Sequence, residues 1–365
     1  MTEPVAPKTR KVFTRGELRL VSPSGAVPQP QRIERAAEHL GELGFRVRID
    51  AAALLREQRF AGSDARRVQA LHRAARSRAS VVMATRGGYG LTRMLDALDY
   101  PLLHEAVSRR GQVWVGHSDF TALQLAMLAR AGSVTYSGPM ASFDFGAERV
   151  DEITRESFLD VVDSRLEAVG FECPDAPGSL DAAGVLWGGN LSLVCNLVGT
   201  PYLPRVRGVL FLEDVSEHPY RIERMLTQLL GAGVLQRQRA VLLGAFTDYR
   251  LSPHDAGYDL PQVVAWLRSR LREHAVPVLT GLPFGHVRTK LCLPHGARCR
   301  LVREGTDAYL VFGHSHGGHH REAGASAGGQ GRDAHPHDSQ ADGSHPHGTH
   351  PHGTHPHGSR SHEPH

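Results

Sequence analysis

Three features of the 365-residue sequence predict an α/β protein in two folded parts followed by a tail. Short β-rich runs alternate with amphipathic stretches over residues 17–140, the alternation of two- and 3.6-residue periods that βαβ units produce. A second set of apolar runs occupies 183–312. After 313 apolar residues almost vanish, and 14 of the 23 histidines lie there.

In the first part, residues 18–21, 45–49, 80–84, 113–115 and 134–136 read as strands, and 31–43, 64–76 and 120–131 as amphipathic helices. Short strands separated by helices pair in parallel, with helices on both faces. The expected N-terminal domain is therefore a parallel sheet of Rossmann or flavodoxin-like type, in which ligands collect beyond the carboxyl ends of the strands. The segment 141–182 is acidic and carries Pro174-Asp175-Ala176-Pro177-Gly178, which reads as a linker. Residues 183–312 are expected to form a smaller, mixed, β-rich C-terminal domain, with strands at 184–187, 209–212, 240–246, 278–282 and 309–312. Helices are expected at 191–198, 221–230 and 260–271.

Composition narrows the function classes. With 41% hydrophobic and 22% charged residues the chain can bury large cores over two domains. Residues 1–16 hold basic residues with no apolar stretch behind them, so a disordered leader is expected, not a signal peptide, with cytoplasmic residence and no membrane partner. The net charge of +4 comes without a basic patch interleaved with aromatic residues, which argues against nucleic acid. Cys173, Cys195, Cys292 and Cys299 lack C-x-x-C spacing and read as reduced thiols.

The chemistry centres on Gln112-Val113-Trp114-Val115-Gly116-His117-Ser118-Asp119-Phe120, an apolar strand that stops at glycine and delivers a serine where a helix begins. Such a turn lifts the hydroxyl away from the backbone and aims the first helical amides at an anion forming beside it. A serine at a helix start also serves as a simple N-cap. A serine nucleophile needs a base and an acid to orient that base. Glu213 ends one apolar run and His286 follows another, although a surface ion pair and a loop histidine would leave the same trace.

The turn Arg86-Gly87-Gly88-Tyr89-Gly90 lacks both G-x-G-x-x-G and the G-K-[ST] of a P-loop, which argues against nucleotide binding. Its glycines suit close backbone approach. The Gly88 amide with that of Asp119 is the expected oxyanion pocket. Arg86 is a candidate for holding a substrate carboxylate by its two-donor fork, or else for a structural salt bridge. Trp187-Gly188-Gly189-Asn190 reads as a packing and helix-start element.

Six motifs occur in order: Arg86-Gly87-Gly88-Tyr89-Gly90; Gly116-His117-Ser118-Asp119-Phe120-Thr121-Ala122; Ser137-Gly138-Pro139-Met140; Leu186-Trp187-Gly188-Gly189-Asn190-Leu191; Leu212-Glu213-Asp214 with His218-Pro219-Tyr220-Arg221; and Phe284-Gly285-His286. Together they resemble the LD-carboxypeptidase family of serine peptidases, the murein tetrapeptide carboxypeptidases, from about Leu18 to about Phe312. The resemblance implies Ser118 as nucleophile, Glu213 as the acid of the charge relay and His286 as general base. It also implies murein tetrapeptide substrates, release of a terminal D-alanine from an L,D bond in peptidoglycan recycling, no cofactor for catalysis, and a homodimer. The N-terminal segment and the tail depart from the family pattern. Relatives of the fold that cleave peptide-nucleotide antibiotics in self-immunity offer an alternative with the same chemistry.

The tail, 313–365, repeats His345-Pro346-His347-Gly348-Thr349 from His350 and, with serine last, from His355. So polar and Gly/Pro-rich a segment is expected to be disordered. His345, His347, His350, His352, His355 and His357 are candidate ligands for nickel or zinc, in a protein that would buffer metal through its tail, or else form a solvated repeat.

Overall fold

The computed structural model describes residues 14–174 and 178–313. In the N-terminal part the chain runs β1 (Glu17–Val21), α1 (Gln31–Glu42), β2 (Arg46–Ile49), α2 (Asp64–Arg76), β3 (Val81–Ala84), α3 (Tyr100–His104), β4 (Val113–Gly116), α4 (Phe120–Ala131) and β5 (Thr135–Ser137). It continues through α5 (Glu152–Val162), β6 (Ala168–Glu172), β7 (Leu180–Asn190), α6 (Leu191–Asn196), β8 (Gly208–Val215), α7 (Pro219–Gly231) and β9 (Ala240–Thr247). Last come α8 (Leu260–Arg272), β10 (Val278–Leu279), β11 (Leu293–His295), β12 (Arg298–Glu304) and β13 (Asp307–Phe312).

The first sheet has the order β2-β1-β3-β4-β5-β11, with β1 to β5 parallel. This is the flavodoxin-like order, whose direction reverses between β1 and β3 and leaves a crevice at the strand ends there. The register pairs Val21 with Ala84 and Gly116 with Ser137, so the loops after β1, β3, β4 and β5 leave one edge of the sheet. The helices follow from local signals. On α1, Ile33, Ala36 and Leu40 share the buried face. The Ser63 side chain caps α2 by accepting the Arg66 amide. Every residue of α4 from Phe120 to Met127 is buried, as a helix enclosed on all sides requires, and Gly132 ends it in the left-handed region.

The second sheet runs β10-β9-β8-β7-β12-β13-β6, seven strands to the first sheet's six. Its β7 to β10 are parallel, and β12, β13 and β6 antiparallel. One hydrophobic core joins the two parts: Val21, Phe120 and Leu123 cluster with Trp187, Leu191, Leu210 and Leu226. At this seam the Asn190 amide donates to Thr121 Oγ1 at 3.2 Å.

Three segments differ from expectation. Residues 141–182, read as a linker, contain α5 and β6. Asp151 caps α5 by accepting the Thr154 amide, and the helix buries Phe158, Leu159 and Val161. Strand β6 turns Val169 and Phe171 inward against β13. Glu152 and Glu156 on the outward face of α5, and Ala168, Gly170 and Glu172 on that of β6, diluted the two periods. Strand β11 pairs antiparallel with β5, so chain from beyond 290 closes an edge of the first sheet. Strand β12 buries Cys299 and Leu301 while Arg298 and Arg300 face outward, a charged alternation that hides a strand. All four cysteines are buried and free. Among the described residues no helix is long and apolar enough to cross a membrane. The leader and tail expectations, including His345, His347, His350, His352, His355 and His357, lie outside the described residues, apart from Thr14 to Gly16 and Gly313.

Candidate active site

Ser118 stands between β4 and α4 with φ = +62°, in the left-handed region that a serine adopts only when its surroundings hold it there. Two neighbours enforce the turn. Phe120, fully buried, packs where a Cβ on Gly116 would come within 2.9 Å of its ring, and the Phe120 amide donates to the His117 carbonyl at 3.2 Å. The phenylalanine in place of a second glycine is thus a packing element that leaves the elbow intact.

Gly87 brings the glycine turn against the serine. A Cβ there would lie 2.5 Å from Ser118 Oγ and 3.2 Å from the Asp119 nitrogen, so only glycine fits. The glycine nearest the hydroxyl is therefore Gly87, and Gly88 follows it along the cavity wall. Among the described residues neither the Gly88 amide nor that of Asp119 donates a hydrogen bond, which leaves both available to an anion. The Asp119 side chain has a second duty that sequence reading did not reach. Buried, its Oδ2 accepts the Leu91 amide at 2.9 Å and so ties the glycine loop to the Ser118 turn. Burial pushes this carboxyl above its ordinary pKa, against the pull of Ser24, the Leu91 and Gly90 amides and Arg67.

His286 and Glu213 come from the second sheet. His286 Nδ1 is 2.8 Å from Glu213 Oε2, and Glu213 is fully buried. Such a carboxylate fixes the Nδ1–H tautomer and leaves Nε2 to take a proton. Glu213 sits at a register irregularity between Leu212 and Asp214, a bulge that re-aims a side chain at a strand end. Asn190 Nδ2 donates to Glu213 Oε1 at 3.3 Å and to Asp214 Oδ1 at 2.8 Å, which satisfies both buried acids. Gly285 precedes the histidine at φ = +136°, and a Cβ on it would stand 3.2 Å from Glu213 Oε2. Burial lowers the His286 pKa, but the hydrogen bond and charge of Glu213, with the charge of Asp214, outweigh it and set the pKa above 6.5.

Ser118, His286, Arg86, Gly87, Gly88 and His117 line one cavity of about 510 Å³. Loops from both sheets thus meet there. His117 carried no sequence signal beyond its place in the motif. Its Nδ1 lies 2.8 Å from the Gly138 carbonyl and its ring centroid 5.2 Å from that of His286. Burial above all, then the charges of Lys290 and His286, hold its pKa well below the ordinary value, so it stays neutral and donates to that carbonyl. Arg86 is half-buried, donates to the Ala26 carbonyl at 2.8 Å, and has no carboxylate within 4.0 Å among the described residues. Nearby, Lys290 and Asp144 form a buried ion pair, and Asp144 Oδ2 also accepts the Met140 amide at 2.7 Å. Neither had a periodic or motif signal. The Trp187-Gly188-Gly189-Asn190 stretch does what was expected: Trp187 is buried, and Asn190 caps α6 by accepting the Leu193 amide.

Comparison with known proteins places the chain among the carboxypeptidases, which are hydrolases. The LD-carboxypeptidase N-terminal domain matches residues 18–138 and the LD-carboxypeptidase C-terminal domain residues 183–301, and the chain belongs to that family. A protein of Bacillus subtilis named probable murein peptide carboxypeptidase is 30% identical over 313 residues, 84% of this chain and 95% of that one. The crystal structure of muramoyltetrapeptide carboxypeptidase from Oxalobacter formigenes is similar with a TM-score of 0.75 and 39% identity, over 82% of this chain and 98% of the other. An MccF-like protein from Bacillus anthracis is similar with a TM-score of 0.69 and 26% identity, over 84% and 98% of the two chains.

Proposed function

We propose that the protein is a serine LD-carboxypeptidase that removes the terminal D-alanine of murein tetrapeptides, a cytoplasmic step of peptidoglycan recycling. The observation that carries the serine chemistry is Ser118, held at positive φ against Gly87, in one cavity with a histidine whose Nδ1 is bound by a buried glutamate. The relatives named for murein peptides support the substrate.

The steps follow from the groups present. His286 Nε2 takes the Ser118 proton as Oγ forms a bond to the scissile carbonyl carbon, and Glu213 stabilises the imidazolium. The Gly88 and Asp119 amides donate to the carbonyl oxygen as it becomes an oxyanion. The intermediate collapses, the C–N bond breaks, and His286 passes the proton to the departing amine. Water, activated by the same histidine, then releases the acyl group from the serine. Arg86, a cation without a carboxylate partner at the cavity wall, holds the carboxylate of the departing residue. No group in this sequence of steps is a metal.

The test is incubation with L-Ala-γ-D-Glu-meso-diaminopimelate-D-Ala, followed by mass spectrometry. Release of D-alanine and the tripeptide supports the reading; an intact tetrapeptide after prolonged incubation contradicts it. The immunity proteins of this fold are 22% identical, and no observation in the described residues favours their substrates.

A further inference from the structure

The catalytic cavity shares Gln29, Arg32 and Phe143 with a second and larger one, of about 950 Å³. Its walls carry Arg32, Arg35, Arg149 and Arg288. Arg32 and Arg35 reach the Gly146 carbonyl at 3.4 and 3.2 Å, an anchor that orients them without neutralising them. Among the described residues none of Arg32, Arg35 and Arg149 has a carboxylate within 4.0 Å. The acids of the same walls are mostly committed. Asp144 pairs with Lys290, while Asp151 accepts the Thr154 amide and the Thr289 hydroxyl and feels the Arg288 charge, which leaves Glu148. Helix α1 also begins at this cavity, with Gln31 in the wall and the Arg32 and Ile33 amides donating to the Gln29 and Pro30 carbonyls.

Several guanidinium groups around one hollow, at the positive end of a helix, repel one another unless an anion sits among them. Guanidinium forks match carboxylate and phosphate oxygens in two-donor geometry. The cavity also lies where the substrate must pass. A carboxypeptidase pocket encloses the terminal residue, so the acyl portion leaves through the neighbouring space.

We propose that this second cavity is an anion subsite that takes an oxyanion on the acyl side of the substrate. The inference rests on the carboxypeptidase reading above and deepens it. Two sources share the chemistry: the free α-carboxylate of the γ-linked glutamyl residue, and the diphosphate of a nucleotide-linked muropeptide.

The test uses Arg35→Gln/Arg149→Gln, because neither residue lines the catalytic cavity. Steady-state kinetics compare the free tetrapeptide, its α-amide at the glutamyl residue, and UDP-MurNAc-tetrapeptide, and calorimetry measures pyrophosphate binding. In the wild type, KM should be lower for the charged ligand. The double variant should raise that KM about tenfold, which corresponds to about 1.4 kcal/mol, and leave kcat within about twofold. It should also lose pyrophosphate binding, and Arg35→Lys/Arg149→Lys should restore part of both. A wild-type preference for carboxylate over amide assigns the carboxylate, and one for the UDP form over the free peptide assigns the diphosphate. Tetrapeptide turnover with unchanged KM and unchanged pyrophosphate affinity in the glutamine variant overturns the subsite alone. If no peptide is cleaved but pyrophosphate binding still depends on Arg35 and Arg149, the anion site stands and the carboxypeptidase reading falls.

Discussion

His286 Nδ1 lies 2.8 Å from Oε2 of Glu213, so a fully buried carboxylate holds an imidazole that stays partly open to the cavity. As the proposed base His286 would have to be neutral, and Glu213 raises its pKa above 6.5 against the effect of burial. The acid limb of kcat/KM should therefore have its midpoint above 6.5, and Glu213→Gln should move it down while lowering kcat less than His286→Ala does. By linkage, the pair's contribution to fold stability is full below about 6.5 and is lost as pH rises through the folded-state pKa of His286. A pH–rate profile whose acid limb is the same in wild type and Glu213→Gln would assign the orienting role elsewhere.

Gly87→Ala should lower turnover on the order of a hundredfold without unfolding the protein. Its Cβ would stand 2.5 Å from Ser118 Oγ, at a backbone position without positive φ, so the serine hydroxyl must move while the loop remains feasible. Displacements of this size commonly cost on the order of a hundredfold in rate. Kinetics and near-UV circular dichroism on the same preparation check it: native dichroism with full activity would show that the serine oxygen does not work where it is placed.

The buried Lys290–Asp144 pair predicts a stability effect with a particular signature. Lys290→Met leaves Asp144 buried without its counter-charge, at a cost of about 3–5 kcal/mol. Lys290→Met/Asp144→Asn should recover much of that loss, since no lone charge remains. Urea titrations of the single and double variants measure it, and equal losses in both would show that the ion pair is not the source.

Much of this fold was legible because local and global signals agree. Strands β1 to β5 of the first sheet and α1, α2 and α4 lie within one residue of their predicted bounds, since short apolar runs and helical periods alternate there without interruption. The strand-to-helix turn at Ser118 was equally readable, although its left-handed backbone is a property of the folded surroundings and not of a serine. Charge hid the remainder. Strand β12 alternates arginine with core residues, and α5 begins among acids that suggested a linker. Asn190, His117 and Lys290 act through partners 23, 21 and 146 residues away, a relation that no sequence period records.

The histidine-rich tail is expected to bind Ni²⁺ or Zn²⁺ reversibly and to play no part in catalysis. Neutral imidazole is required, so affinity should fall as pH drops from about 7.5 to about 5.5. Truncation after Gly313 should abolish the nickel isotherm measured by calorimetry and leave peptidase turnover unchanged. Identical isotherms for the full and truncated chains would locate any metal site elsewhere.

The proposed chemistry stands on Ser118 as nucleophile, and a single substitution tests that role. Ser118→Ala removes the oxygen, and the loss of a triad member commonly costs on the order of 10⁴ to 10⁶ in rate. The measurement is the rate of D-alanine release from the murein tetrapeptide by purified wild-type and Ser118→Ala proteins of matched thermal stability. The wild type should release D-alanine and the variant none above background. A Ser118→Ala protein that keeps a tenth of wild-type turnover would contradict that role.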